Sequence, residues 1–133
     1  MAKLDDVMFD SYVLTLKDKT LFSNKRFHVT AICLDKRYNV LSTDWNSYIK
    51  THPMQARLAI LCGNSRKIYL HAEIASLVRC RKIPHTMVIC RVDANNENAN
   101  ARPCAICMMA LEKSGIKEVW YTVKDGWENM KIG

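Results

Sequence analysis

The segment Thr86-Met87-Val88-Ile89-Cys90-Arg91-Val92 decides the architecture. Its run of four apolar residues, Met87 to Cys90, lacks the alternation of a half-exposed strand, so it reads as a strand covered on both faces. Such a strand needs helices above and below it, and helical patterns flank it in the sequence. His71-Ala72-Glu73-Ile74-Ala75-Ser76-Leu77-Val78-Arg79 precedes it, with alanines and a leucine that suit a buried helix. Asp93 to Arg102 follows as a polar, asparagine-rich loop. Pro103 then takes the first-turn position of a helix running from Cys104 to Lys113 and ending near Ser114-Gly115.

Outward from this centre, Arg26 to Leu34 and Asn39 to Thr43 read as strands joined by the charged turn Asp35-Lys36-Arg37-Tyr38. Leu4 to Leu21 carries Val7, Met8, Tyr12, Val13, Leu16 and Leu21 at helical spacing and predicts an amphipathic helix. Asp44 to Pro53 reads as a loop, and Met54 to Leu61 as a short helix entered through Pro53. At the C-terminal end, Glu118 to Lys124 predicts a strand and Asp125-Gly126 a tight turn, returning Trp127 to Ile132 beside it. The seven residues after Gly126 are too few for a parallel return, which needs a crossover of about a dozen. An antiparallel last strand is therefore expected. The alternation in the middle predicts an α/β fold with one mixed sheet of about five strands and helices on both faces.

The chain has 133 residues, a length that suits one domain over 1–133 able to build its own core. No stretch approaches the roughly 18 apolar residues of a membrane helix, so a membrane partner is not expected. The start of the chain has neither an apolar run nor a cleavage site, which predicts a cytoplasmic, reducing location. The six cysteines are then expected to bind metal or sit buried rather than form disulfides. Twenty Lys and Arg against thirteen Asp and Glu give a net charge of +7, which favours anionic partners, whether a nucleotide phosphate or a nucleic-acid backbone.

Two short motifs carry the chemistry: His71-x-Glu73 and Pro103-Cys104-x-x-Cys107. Cys104 and Cys107 are three apart, so in a first helical turn their sulfurs face one side and can grip one ion. A helix N-terminus helps keep both as thiolates. His71 adds a neutral imidazole, and three protein ligands leave the fourth tetrahedral position of a zinc ion open to water, as in catalytic sites. Glu73 is the expected proton carrier, taking the proton that the metal loosens from water. Residues two apart point to different sides of a regular helix, so His71 and Glu73 share a pocket only if the helix begins there. A closed structural site would need a fourth cysteine, but Cys80 lies about 13 Å from His71 along one helix. Cys33, Cys62 and Cys90 read as buried thiols, and His28, His52 and His85 as surface or satisfied core histidines.

With these motifs the chain resembles the cytidine and deoxycytidylate deaminase superfamily from about Arg26 to the C-terminus. The resemblance implies a three-layer cytidine-deaminase-like fold, a Zn²⁺ cofactor held by His71, Cys104 and Cys107, and Glu73 as the catalytic acid and base. It also implies a substrate-binding asparagine after the second strand, which here falls on Asn46, and a contact at Ala72. The glycine that often precedes this asparagine is replaced by Asp44-Trp45. Trp45 and Tyr48 suit stacking on a base or lining the pocket mouth, against the alternative of sheet-side core. Arg102, next to the Pro-Cys motif, offers a forked donor set for a phosphate, against the alternative of a solvated loop arginine. The Asn95 to Asn98 run reads most simply as a flexible loop, with a lip of the pocket as the alternative that its position before the second motif offers.

On the substrate the resemblances diverge. A histidine first ligand is similar to the deoxycytidylate, tRNA-adenosine and polynucleotide branches, whereas an antiparallel last strand is similar to free-nucleoside deaminases and some toxin deaminases. The small size weighs toward a metabolic enzyme. The expected activity is hydrolytic deamination of cytosine in a free nucleotide or nucleoside, deoxycytidylate first, by a homo-oligomer. The alternatives are a deaminase of single-stranded DNA or RNA, with Trp45, Tyr48 and Trp127 in a basic stacking groove, and a noncatalytic zinc-stabilised binding module.

Overall fold

The computed structural model describes residues 2–47, 50–63 and 69–132. Its elements are α1 (Ala2–Leu21), β1 (His28–Leu34), β2 (Val40–Trp45), α2 (Pro53–Leu61), α3 (Ala72–Arg79), β3 (Thr86–Val92), β4 (Asn98–Ala99), α4 (Ala105–Ser114), β5 (Glu118–Val123) and β6 (Gly126–Lys131). The strands form one mixed sheet in the order β2-β1-β3-β5-β6, with the two-residue β4 paired to the end of β3. Among the described residues only β3 and β5 run parallel, and β6 returns antiparallel to β5 from Gly126. Tyr48 and part of the segment before Tyr69 lie outside the described residues.

Strand pleating divides the core into two layers. Ala31 and Cys33 of β1, Met87 and Ile89 of β3, and Val119 and Tyr121 of β5 pack against α2, α3 and α4. Their neighbours Ile32, Leu34 and Val88 face Leu4 and Val7 of α1 on the other side. Met87 to Cys90 are wholly buried, as expected for a strand covered twice. No helix among the described residues is long and apolar enough to cross a membrane.

α1 differs from its sequence reading. Its buried stripe is Leu4, Val7, Ser11, Thr15 and Asp18, while Val13 and Leu21 are exposed. The three polar residues are tolerated because each is hydrogen-bonded. Ser11 donates to the Met8 carbonyl (2.6 Å), Thr15 donates to that of Ser11 (2.6 Å), and the hydroxyls of Thr15 and Thr30 lie 2.7 Å apart. Asp18 meets His28 Nδ1 at 2.9 Å and Lys25 Nζ at 3.0 Å. His28 is thus a satisfied core histidine, and His52 caps α2 by accepting from the Met54 N–H.

The 93–102 connection carries β4, which the polar composition did not predict, and it is fastened from α1. Lys19 Nζ donates to the carbonyls of Asp93 and Ala94 (both 2.9 Å) and to Asn96 Oδ1 (2.6 Å), and Tyr12 donates to the Asn96 carbonyl (2.6 Å). Asn96 to Asn98 therefore line a hollow beside α1 and Trp127, not a lip of the pocket described below.

Candidate active site

Both chemical motifs sit where a helix begins. His71 is the N-cap of α3 and has extended backbone (φ −76°, ψ 152°), so it stands outside the helix that holds Glu73. This resolves the two-residue spacing. The His71 N–H donates to Oε1 of Gln55 on α2 (3.2 Å), and Gln55 is fully buried. Cys104 is likewise the N-cap of α4 (φ −73°, ψ 172°), with the helix starting at Ala105. Pro103 therefore precedes the cap rather than occupying the first turn. Cys104 and Cys107 are brought together as cap and third helical residue instead of two residues of one turn.

His71 Nδ1 lies 3.3 Å from Cys107 Sγ and 3.6 Å from Cys104 Sγ. The ligand atoms of these three residues all fall within 4.8 Å of one another. Tetrahedral zinc with bonds of about 2.05 Å to nitrogen and about 2.3 Å to sulfur places those atoms about 3.6 Å apart. The donor set and its spacing suit Zn²⁺. Glu73, 7% exposed, lines the same cavity of about 460 Å³ as His71, Ala72 and Cys104. Cys80 caps the far end of α3 and donates to the Lys82 carbonyl, so it takes no part.

A family model described as the cytidine and deoxycytidylate deaminase zinc-binding region matches residues 4–123. The chain belongs to this deaminase family. A search of curated proteins gives no match. The family identity and the His–Cys–Cys cluster agree on a zinc cofactor.

The electrostatics of this deaminase site follow from its packing. Cys104 is pushed down to about 3, chiefly because the Cys107 thiol donates to it, with His71 adding to the effect against the cost of burial. Cys107, which keeps the proton it donates and is buried, is pushed well up. The polypeptide thus has one sulfur ready as a thiolate, while a metal must displace the proton on the other. Burial raises the pKa of Glu73, partly offset by His71. Cys33 and Cys90, deep in the sheet, are raised to about 11 by burial, which marks them as inert thiols.

Of the remaining residues singled out from the sequence, Asn46, Ala72 and Arg102 line the cavity. The amide of Asn46 is already engaged, accepting from the Val29 N–H (3.1 Å) and donating to the Phe27 carbonyl (2.9 Å). Trp45 does not line this cavity. It lines a neighbouring one of about 640 Å³ that shares Asn46, Ser47 and Leu70 with the first. Trp127 packs near α1, away from both. Sequence reasoning missed Gln55, Phe27, Tyr69, Arg91 and Asn100. One signal existed for Arg91: a charge at the carboxyl end of an otherwise apolar central strand, where open α/β sheets place ligands.

Proposed function

We propose that residues 1–133 form a single deaminase domain that hydrolyses the amino group of cytosine in a free nucleotide or nucleoside, deoxycytidylate first. Water and the cytosine ring give the uracil form and ammonia. His71, Cys104 and Cys107 would hold the zinc, which would supply a Lewis acid that lowers the pKa of water toward neutrality. Glu73 takes a proton from the attacking water, delivers it to the ring nitrogen, and then protonates the departing amine. Asn46, Ala72 and Arg102 contact the substrate.

The observation that carries this reading is the placement of Glu73, a buried carboxyl on the cavity wall it shares with His71 and Cys104. A carboxyl with no such task would cost stability there. It also argues against a noncatalytic module. A polynucleotide substrate is the second reading, supported by the net charge of +7 and by the adjoining cavity, where Trp45 and Phe22 stand with Lys25, Arg26 and Lys50. A strand crossing the Asn46–Ser47–Leu70 boundary would reach both.

The test is zinc-loaded protein with dCMP, deoxycytidine and a single-stranded oligonucleotide, followed by loss of cytosine absorbance and release of ammonia. Glu73→Ala is expected to retain zinc and lose at least 10²–10⁴-fold in turnover, the typical worth of a positioned acid–base group. Turnover by Glu73→Ala at the parent rate would remove Glu73 from the chemistry. Uracil appearing only in the oligonucleotide would move the substrate to the polymer.

A further inference from the structure

We propose that Arg91 binds a phosphate of the substrate, so that the cavity takes a phosphorylated cytosine nucleoside in preference to the bare nucleoside. The inference rests on the deaminase reading above and assigns a residue and a substrate class that the zinc cluster does not.

Arg91 is the sixth residue of β3 and shares the pleat parity of Met87 and Ile89, so it emerges on the α2–α4 side of the sheet. There it lines the same cavity as Glu73 and Cys104. Its guanidinium lies 4.4 Å from the ring centroid of Phe27, another residue of that wall. Stacking on an aromatic face fixes the plane of an arginine and leaves its edge for hydrogen bonds. Phe27 is supplied by the chain just before β1, where His28 pairs with Val92, so sheet register brings ring and guanidinium together.

The donors of Arg91 are poorly used within the protein. Nη1 reaches the Asn100 carbonyl at 3.4 Å, a long contact, and Nε is sealed from solvent without a partner. A guanidinium carries five N–H donors, so most of its terminal ones remain for a ligand. Among the described residues the ion pairs are Lys25 and His28 with Asp18, Arg79 with Asp44, and Lys131 with Glu118. Arg91 is in none of them. Glu73 is the acid among the described residues lining the cavity, and it is committed to the metal side, whereas Arg102 adds a second cation.

A half-buried cation without a carboxylate is costly unless an anion completes it. Deoxycytidine brings no charge to meet it. A phosphate ester does, and its oxygens match the forked donors of arginine. The phosphate has two sources, a free nucleotide or a nucleic-acid backbone, and the substrates of the test separate them.

The experiment compares kcat/KM for dCMP, deoxycytidine and a single-stranded oligonucleotide in the parent protein, Arg91→Gln and Arg91→Lys. The expected parent preference is for a phosphorylated substrate over deoxycytidine. Arg91→Gln is expected to reduce that ratio by about 10- to 100-fold, the worth of a hydrogen bond to a charged group, and Arg91→Lys to restore part of it. The ratio is internal to each variant, so loss of protein to misfolding does not imitate the effect; zinc content checks the fold. A preference carried by dCMP assigns a free nucleotide, and one carried by the oligonucleotide assigns the polymer. A parent ratio near one, or a ratio unchanged in Arg91→Gln, overturns the proposal while leaving deamination intact. Zinc-loaded parent inert on all three overturns the deaminase reading instead. The relative affinity for dCMP and deoxycytidine, measured by calorimetry on parent and Arg91→Gln, then decides the role of Arg91 by the same ratio.

Discussion

Gln55→Met strikes at the support of His71, a proposed zinc ligand, from outside the His71–Cys104–Cys107 cluster. Gln55 is fully buried on α2 and its Oε1 accepts the His71 N–H at 3.2 Å. Methionine fills a similar volume with no polar atom to accept, so packing is largely kept while the His71 donor loses this partner. Stranding a buried donor costs about 1–3 kcal/mol, and removing the buried amide of Gln55 itself returns part of that, leaving about 1–2 kcal/mol. At 1.36 kcal/mol per tenfold this corresponds to roughly 5- to 30-fold. Because His71 is a cap residue in extended backbone, the loss falls on the peptide that aims its imidazole. Zinc affinity is expected to drop by a factor of that order, read by competition with a chromophoric chelator. Urea unfolding of the metal-free protein should show the stability loss. Leu58→Met, a volume-conserving change at another buried position on α2, serves as control and should cost less than about 1.5 kcal/mol with zinc affinity unchanged. Equal affinities for Gln55→Met and the parent, or an equal loss in the control, would refute the reasoning.

Two further outcomes follow from the frame around the site. Glu118 is buried, which opposes its charge, but Lys131 and the hydroxyl of Tyr38 (3.1 Å) donate to it and hold its pKa below the usual carboxylate range. A depressed folded pKa contributes stability that is present above the unfolded value of about 4.3 and is lost as pH falls through the folded one. The stability gap between parent and Glu118→Gln in urea should therefore be widest at neutral pH and close below pH of about 4; a constant gap would contradict this. Gly115 ends α4 in the left-handed region (φ +83°), with open space where a Cβ would stand. Gly115→Ala should cost about 1–2 kcal/mol from backbone alone, and Gly115→Asn less, by thermal melting. A neutral alanine would show that the turn relaxes.

The parts of the fold legible in sequence are those in which one segment carries its own evidence. Met87 to Cys90 announced a doubly covered strand, and Asp125-Gly126 announced the turn that gives β6 its direction. The residues that the structure gathers as the His71–Cys104–Cys107 cluster were legible because each lies in a short motif of distinctive chemical identity. What stayed hidden depends on partners supplied from elsewhere. Ser11, Thr15 and Asp18 face the sheet because Met8, Thr30, His28 and Lys25 satisfy them or their neighbours, so the polar side of α1 could not be told from a solvated one. Pro103 stands beside a cap because Cys104, not proline, breaks from helical geometry. Arg91 and Phe27 meet only through the register of β1 on β3, which no pattern within either strand specifies.

The ammonium of Lys19 has a wider consequence. It gathers three oxygens from the turn leaving β3, and that same stretch of backbone leads on through β4 to both sulfurs. A helix that contributes nothing to the reaction chamber thereby steadies it from behind, like a buttress on the opposite side of a wall. Alterations confined to that outer helix can blunt the chemistry while every participating side chain stays in place.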